Sequence, residues 1–262
     1  MSNDLLDRWA DDLQRWAIPD HILQQAPQSP WIHPVEKFTP AGDLMVATPS
    51  RLRALEAIEG LADASVLDVG CGGGRAAFGL TPPATSVVGV DHQQAMLDVF
   101  TAAAEERHVT SRTVLGDWPD VADEAPSCDV VVCHHVLYNV QRIAPFLQAL
   151  DAHAHRRVVI EMPVRHPLSH MADLWKHFWD LDRPQRPTAD DALAIATSLG
   201  FDAHLELFET PPAEEPITSL DVEHMRIRLC LTPDRDAEVE QLLRSRPAQG
   251  RRLAALWWDV RH

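Results

Sequence analysis

A glycine-rich turn after a short apolar run constrains this chain more than any other feature. Residues 66–80 read VLDVGCGGGRAAFGL, so the apolar run stops at Gly70 and resumes at Ala76. This pattern is typical of a buried strand, a tight turn and the first turn of a helix. Glycine permits backbone angles that a Cβ forbids, and it lets the backbone and the helix N–H groups approach a ligand closely. The stretch therefore predicts a ligand-binding corner between a strand and a helix.

Further apolar runs continue the pattern along the chain. Residues 87–90 are apolar and end in Asp91, and a carboxylate at the end of the second strand is where doubly wound folds bind ribose hydroxyls. Gly116-Asp117-Trp118 follows a third run, and residues 128–133 form a fourth. Strands that alternate with helical segments predict a parallel α/β sheet.

In this order of motifs the chain resembles the class I S-adenosylmethionine (SAM)-dependent methyltransferases. The motifs similar to those of the family are Asp68-x-Gly70-x-Gly72-x-Gly74, the acidic Asp91, Gly116-Asp117 and the strand from Asp129 to Cys133. The resemblance covers about residues 50–210. It implies a doubly wound, mostly parallel seven-stranded sheet with an antiparallel last strand, and SAM as the cofactor.

Other interpretations of the same residues stay open on the sequence alone. The glycine cluster could be a simple turn, or part of a nicotinamide-binding site. The nicotinamide fingerprint requires a third glycine three positions after Gly72, where this chain has Arg75. Asp91 could also be the N-cap of the helix that follows it, alone or together with a ribose contact.

The length and composition limit the kinds of protein that this chain can be. The chain has 262 residues and a formal net charge of -16, which suits one α/β domain with additions and disfavours a nucleic-acid substrate. Its four cysteines have no zinc-ligand spacing, and we predict no metal. Neither a signal peptide nor a membrane span is predicted, so we expect a cytoplasmic protein that does not act at a membrane. The oligomeric state is not predicted.

We expect three parts in the chain. Residues 1–47 would form an N-terminal cap of helix and loop, residues 48–232 the SAM-binding domain, and residues 233–262 C-terminal helices packed on it. Within the domain, residues 162–187 follow the fifth strand and contain Trp175 among several aromatic side chains. Because ligands bind at the carboxyl ends of such strands, we interpret this segment as a substrate cap.

The expected elements follow from periodicity and capping residues. Strands are predicted at residues 65–69, 87–90, 113–115, 129–133, 157–161, 204–208 and 225–231. Helices are predicted at residues 3–17, from Thr48-Pro49 to Gly60, from Gly74, at 92–107, around 143–150, within 168–178, at 189–199 with Thr188 as N-cap, and at 234–244. Apolar residues between Leu253 and Val260 predict an amphipathic tail that packs on the domain.

The resemblance implies which residues hold the cofactor. Its methionine part would lie among Asp68, Gly70, Cys71, Gly72 and His134. Asp91 would bind the ribose hydroxyls, with His92 and Met96 near the adenine. Asp117 would accept a hydrogen bond from the adenine amino group, and Trp118 would lie against the ring.

The acceptor side is predicted from the end of strand four. Methyl transfer from a sulfonium needs alignment of the reactants, and a base only where the acceptor arrives protonated. His134 and His135 are the candidate bases, and Trp31, Tyr138, His166 and Trp175 are candidate substrate contacts. After strand four the chain lacks the Asn-Pro-Pro-Tyr of the enzymes that methylate amino groups of nucleic acids.

The predicted function is therefore SAM-dependent methyl transfer to a small-molecule acceptor. Two alternatives stay open. One is methylation of a protein or an RNA. The other is a SAM-binding regulatory or partner protein without turnover, since residues that bind the cofactor do not by themselves show catalysis.

Overall fold

A seven-stranded sheet forms the centre of the structure, a computed structural model that describes residues 2–30, 44–212, 216–247 and 250–261. The strands are β1 (Ser65–Val69), β2 (Ser86–Asp91), β3 (Thr110–Leu115), β4 (Cys128–His134), β5 (Ala154–Pro163), β6 (His204–Glu209) and β7 (Arg252–Asp259). Their order is β3-β2-β1-β4-β5-β7-β6, with β7 antiparallel to both of its neighbours and the other pairs parallel. The predicted fold class is thus confirmed.

Helices cover both faces of this sheet. They are α1 (Ser2–Gln14), α2 (Asp20–Leu23), α3 (Pro49–Ile58), α4 (Arg75–Phe78), α5 (Gln94–Glu106), α6 (Ile143–His153), α7 (Ala172–Trp179), α8 (Ala189–Ser198), α9 (Ser219–Arg228) and α10 (Asp236–Arg244). Side chains of α1, α6 and α8 pack in one apolar core, and those of α3, α4 and α5 pack in another on the opposite face. Within the described ranges, no helix is both long and apolar enough to cross a membrane.

The predicted helix starts are confirmed where the sequence has capping residues. Thr48 accepts a hydrogen bond from the N–H of Arg51, with Pro49 at the first helical position of α3. Thr188 and Asp191 form a reciprocal capping box at the start of α8. Each such contact satisfies an N–H group that the helix itself leaves free.

A third apolar cluster lies outside the sheet, among α2, α7, α9 and α10. Its buried members include Ile22, Trp175, Val222 and Val239. The strand predicted over residues 225–231 is wrong, because helix α9 covers most of this range. The missed signal is the Thr218/Asp221 capping box that starts α9.

The C-terminal tail forms strand β7 rather than a helix. Leu256 and Trp258 contribute to the core on one sheet face, and Trp257 packs against the core on the other. A strand that is buried on both faces has a continuous apolar run without a clear period, so the sequence pattern of residues 253–260 also fitted a helix. The expectation of C-terminal helices is therefore corrected: α10 is helical as predicted, and the residues after it complete the sheet.

The N-terminal helix packs into the domain, as predicted. Trp9 is 1% exposed, and its indole N–H donates to the carbonyl of Val140 at 2.8 Å. Trp16, just after the helix, donates to the carbonyl of Arg186 at 2.7 Å. Most of the predicted loop that includes Trp31 lies outside the described residues.

Replacing Leu256 by Ala tests the position of β7. Leu256 is fully buried in β7, whereas Leu207 on the neighbouring edge strand β6 is 51% exposed. We expect Leu256→Ala to lower the free energy of unfolding by about 2–5 kcal/mol, and Leu207→Ala by about 1 kcal/mol or less, measured by urea denaturation. Equal effects of the two substitutions would contradict the placement of β7 inside the sheet.

Candidate active site

One large cavity opens at the carboxyl ends of the parallel strands. Its volume is about 1040 Å³, and its lining includes residues that follow or end β1, β2, β3, β4 and β5, together with the start of α3. This edge of an open α/β sheet is where ligands bind. Every predicted cofactor residue contributes to the lining: Asp68, Gly70, Cys71, Gly72, Asp91, His92, Met96, Asp117, Trp118 and His134.

The glycine turn after β1 forms the floor of the cavity. The N–H groups of Gly70 and Cys71 both donate to the carbonyl of Val90, at 2.8 and 3.0 Å. Gly70 has a φ of +71°, and a Cβ built on it would lie 2.3 Å from Cγ2 of Val136. Only glycine fits both the backbone angle and the space, as the sequence predicted.

Asp91 is fixed by two backbone groups. Its Oδ2 accepts from the N–H of Gly72 at 3.0 Å, and its Oδ1 accepts from the N–H of Gln93 at 2.9 Å. Helix α5 begins at Gln94 with Gln93 as its N-cap residue, so Asp91 is not the N-cap. A carboxylate has about four acceptor sites, so the hydrogen bonds from these two described donors leave Asp91 able to accept from hydroxyl groups of a ligand.

The far end of the cavity lies beyond β3. The N–H of Gly116 donates to the Asp91 carbonyl at 3.0 Å, which ties the two strand ends together. Asp117 is exposed there, and the partly buried Trp118 donates its indole N–H to the Phe146 carbonyl at 3.4 Å. Both side chains therefore line this end of the cavity.

Asp68 is a buried carboxyl group with one donor among the described residues. Its Oδ2 accepts from the N–H of Ala77 at 3.1 Å, and the residue is 1% exposed. The pKa of Asp68 is raised from 3.8 to about 7, mainly by burial; the hydrogen bond from Ala77 opposes this shift, and the negative charge of Asp91 adds to it.

The other end of the cavity holds four polar side chains, Ser50, His134, His135 and Glu161, which we name the Glu161 cluster. The register of β4 against β5 pairs His134 with Glu161. Ser50 donates its hydroxyl to Oε2 of Glu161, and His135 Nε2 lies 3.2 Å from Oε1. The N–H of His135 also donates to the Glu161 carbonyl at 2.7 Å.

Glu161 and His134 in this cluster have shifted pKa values. Burial alone would raise the pKa of Glu161, but the neighbouring His134 and the hydrogen bonds from His135 and Ser50 outweigh it and lower the value to about 2. Burial lowers the pKa of His134 below 6.5, with Glu161 opposing the shift. Nε2 of His134 is buried and has no hydrogen-bond partner among the described residues. Glu161 is therefore ionised at neutral pH.

The sequence analysis missed Glu161 and Ser50. Glu161 is a carboxylate near the carboxyl end of a buried strand, the same signal that identified Asp91. Ser50 lies two residues after the N-cap Thr48, where the local sequence pattern indicates only the start of a helix. Its role depends on a contact with a residue 111 positions away, which no local pattern shows.

The structure does not bring three of the predicted substrate residues to the cavity. Tyr138 is buried and donates its hydroxyl to the Pro163 carbonyl at 2.9 Å. His166 stacks on Trp16 with ring centroids 4.0 Å apart, and Trp175 is fully buried in the third apolar cluster. None of the described lining residues comes from 162–187, because this segment packs on α2, α9 and α10 instead. Trp31, the fourth candidate, lies outside the described residues.

Comparison with known proteins gives the same fold. The model of a methyltransferase domain family matches residues 66–156. The chain is 31% identical over 110 residues to the ubiquinone biosynthesis O-methyltransferase of Coxiella burnetii, covering 42% of this chain and 46% of that protein. It is 30% identical over 128 residues to the Marinobacter nauticus protein of the same name, covering 48% and 52%. The chain thus spans about half the length of the curated relatives it matches.

Solved structures resemble the chain over more of its length. The YcgJ protein from Bacillus subtilis superposes with a TM-score of 0.55 at 15% identity, covering 81% of this chain and 98% of that one. The magnesium protoporphyrin IX methyltransferase from Synechocystis, crystallised with bound SAH, gives a TM-score of 0.53 at 16% identity, covering 91% and 93%. These likenesses show the class I fold that the sequence motifs predicted.

The raised pKa of Asp68 predicts a pH-dependent effect of Asp68→Asn. Between pH 3.8 and 7 the unfolded chain ionises at this residue and the folded protein does not, so wild-type stability falls as the pH rises. Asparagine keeps an oxygen acceptor for the Ala77 N–H without ionising. We expect the variant to gain stability over wild type between pH 4 and 7, by on the order of a few kcal/mol, and the gain to be constant above pH 7. Denaturation curves at several pH values measure it, and a pH-independent difference would contradict the burial of this charge.

Proposed function

From the methyltransferase domain at residues 66–156 and the class I fold, we propose that this protein transfers a methyl group from SAM to a small-molecule acceptor. The observation that carries the proposal is one continuous cavity that joins the glycine turn and Asp91 to the Glu161 cluster. One end has the groups that suit a nucleoside, and the other has the groups that suit a polar acceptor.

The described residues fit the cofactor. Gly70, Gly72 and Gly73 place the turn after β1 in the lining of the cavity, where its backbone can approach a ligand, and the Asp91 carboxylate there can accept hydrogen bonds from the ribose hydroxyls. We assign the adenine end to His92, Met96, Asp117 and Trp118, and the methionine end to Asp68, Cys71, Gly72 and His134. When bound, SAM supplies a methyl group activated by the positive charge on sulfur.

The size of the cavity supports a small acceptor. Ligand sites typically have volumes of about 300–1,000 Å³. A cavity of about 1040 Å³ is therefore large enough for the cofactor and a second molecule. The curated relatives are named as O-methyltransferases of ubiquinone biosynthesis, and the net charge of -16 disfavours an RNA acceptor.

The protein's contribution to the reaction is mainly alignment. Backbone hydrogen bonds fix the turn after β1 and the Asp91 carboxylate, so the cofactor's ribose and methionine parts would be held in one orientation. His134 and His135 lie on the side where an acceptor would approach, and either could bind it or accept its proton.

Calorimetry tests the cofactor assignment. We expect SAM and its demethylated product to bind with micromolar affinity, about -8 kcal/mol. Asp91→Ala should weaken binding by about 1.5–3 kcal/mol for each hydrogen bond lost to the charged group.

Asp129→Ala is the matched control for this substitution. Asp129 also accepts from a backbone N–H, that of Ser65, but at the opposite end of the sheet. The Asp129→Ala substitution should leave the affinity for SAM unchanged. Binding of NAD in place of SAM would overturn the assignment.

A methyl-transfer assay tests turnover. Purified protein is incubated with labelled SAM and pools of small hydroxyl, amine and thiol compounds, and label in the acceptor fraction is counted. We expect transfer to at least one pool, and a loss of at least tenfold in the Asp91→Ala variant at limiting SAM, since weakened binding by 1.4 kcal/mol is about tenfold. Tight SAM binding without transfer to any pool would favour a SAM-binding regulatory or partner protein.

A further inference from the structure

The Glu161 cluster holds a buried carboxylate that the cofactor site does not require. Glu161 is 8% exposed and Ser50 is fully buried. A carboxylate in such a place is costly unless it is paired and hydrogen-bonded. Here Ser50 donates to one oxygen and His135 lies against the other, so both oxygens have partners.

His135 is held by Glu161 through two parts of the residue. Its N–H donates to the Glu161 carbonyl, and its ring presents Nε2 to the Glu161 carboxylate at 3.2 Å. The backbone of His135 has a φ of +61°, an uncommon conformation for a residue with a Cβ. A carboxylate against Nε2 favours the tautomer that carries the proton there, which leaves Nδ1 as the basic nitrogen.

The ring also has access to the cavity and to water. The side chain of His135 is 44% exposed, whereas the Glu161 side chain is 10% exposed. Both residues line the cavity. A proton taken up by Nδ1 could therefore pass to solvent. His134, beside Glu161 in the strand register, is half-buried, and among the described residues its buried Nε2 has no hydrogen-bond partner.

The cluster resembles a ligand set for a metal, with two imidazoles and a carboxylate. Among the residues that the structure describes, however, no group of three His, Cys, Asp or Glu side chains could hold a metal ion. The contacts of Glu161 are instead those of a group that orients an imidazole.

We propose that Glu161 is a positioning residue that holds His135 as the proton acceptor for a hydroxyl-bearing substrate. This inference rests on the proposed function and deepens it, because it names the acceptor class. As the acceptor oxygen takes the methyl group, a C–O bond forms and the C–S bond breaks. The hydroxyl proton goes to Nδ1 of His135. The positive charge of the sulfonium thus ends on an imidazolium next to the Glu161 carboxylate, which stabilises it.

The first test needs no turnover. Long-range ¹H–¹⁵N spectra of the protein without ligands, at pH 8, report which ring nitrogen of His135 carries the proton, and a His135→Ala variant assigns the signal. We expect the proton on Nε2. A proton on Nδ1 would overturn the proposal, because that nitrogen could not then accept one.

The second test uses kinetics with catechol, caffeate and 4-hydroxybenzoate as hydroxyl probes. We expect wild-type protein to methylate at least one of them. Glu161→Gln and His135→Ala should each lower kcat by about 10²–10⁴-fold, with KM for the probe and affinity for SAM changed less than about threefold. The double variant should be no slower than the slower single variant, because residues that act as a unit are not additive.

A second His–Glu pair in the same chain provides the control. His177 Nε2 lies 2.7 Å from Oε1 of Glu238 on the surface, away from the cavity. Glu238→Gln should leave kcat unchanged. A kcat for Glu161→Gln within threefold of wild type, at unchanged SAM affinity, would overturn the role of Glu161.

Other outcomes separate this inference from the proposed function. Methylation of amine or thiol probes only would overturn the hydroxyl class and leave methyl transfer intact. A lack of SAM binding would instead overturn the proposed function itself. If Glu161→Gln fails to fold, Ser50→Ala is the alternative variant, because it removes one donor to the same carboxylate. This substitution should also lower kcat.

Discussion

Three backbone N–H groups of the turn after β1 donate to the end of β2, and the site depends on them. Those of Gly70 and Cys71 donate to the Val90 carbonyl, and that of Gly72 donates to the Asp91 carboxylate. Together they hold the ends of two neighbouring strands in one position. Because the chain reaches this position through left-handed angles at the glycines, substituted side chains would strain the turn.

Two buried carboxyl groups near the carboxyl ends of the strands lie in different environments. Asp68 accepts from one backbone N–H among the described residues, and its burial raises its pKa to about 7. Glu161 is nearly as buried, but Ser50, His134 and His135 surround it and lower its pKa to about 2. Below about pH 7, a neutral and an ionised carboxyl group can therefore coexist within one cavity. Such a division of roles follows from the neighbours of each group rather than from its residue type.

Helix α1 and the segment between β5 and α8 lie outside the sheet and stabilise it by packing. In helix α1, the indole N–H of Trp9 donates to the carbonyl of Val140, a residue that lines the cavity. The N-terminal helix therefore stabilises the position of one lining residue. The segment between β5 and α8 joins α2, α9 and α10 in a separate apolar cluster. Its aromatic side chains therefore stabilise packing at a distance from the cavity, although their position after β5 in the sequence suggested a substrate cap.

The sequence by itself determined the corner between β1 and α4, the acidic residue after β2, most strands and the capped helix starts. Each of these depends on local chemistry: glycine at left-handed angles, a carboxylate at a strand end, a hydroxyl that caps a helix. Two features were decided only by tertiary structure. Strand β7 is buried on both faces, so its apolar run has no period that separates a strand from a helix. The Glu161 cluster forms because β4 and β5 are neighbours and α3 packs over them, which joins Ser50 to a carboxylate 111 residues away by a contact that no local pattern encodes.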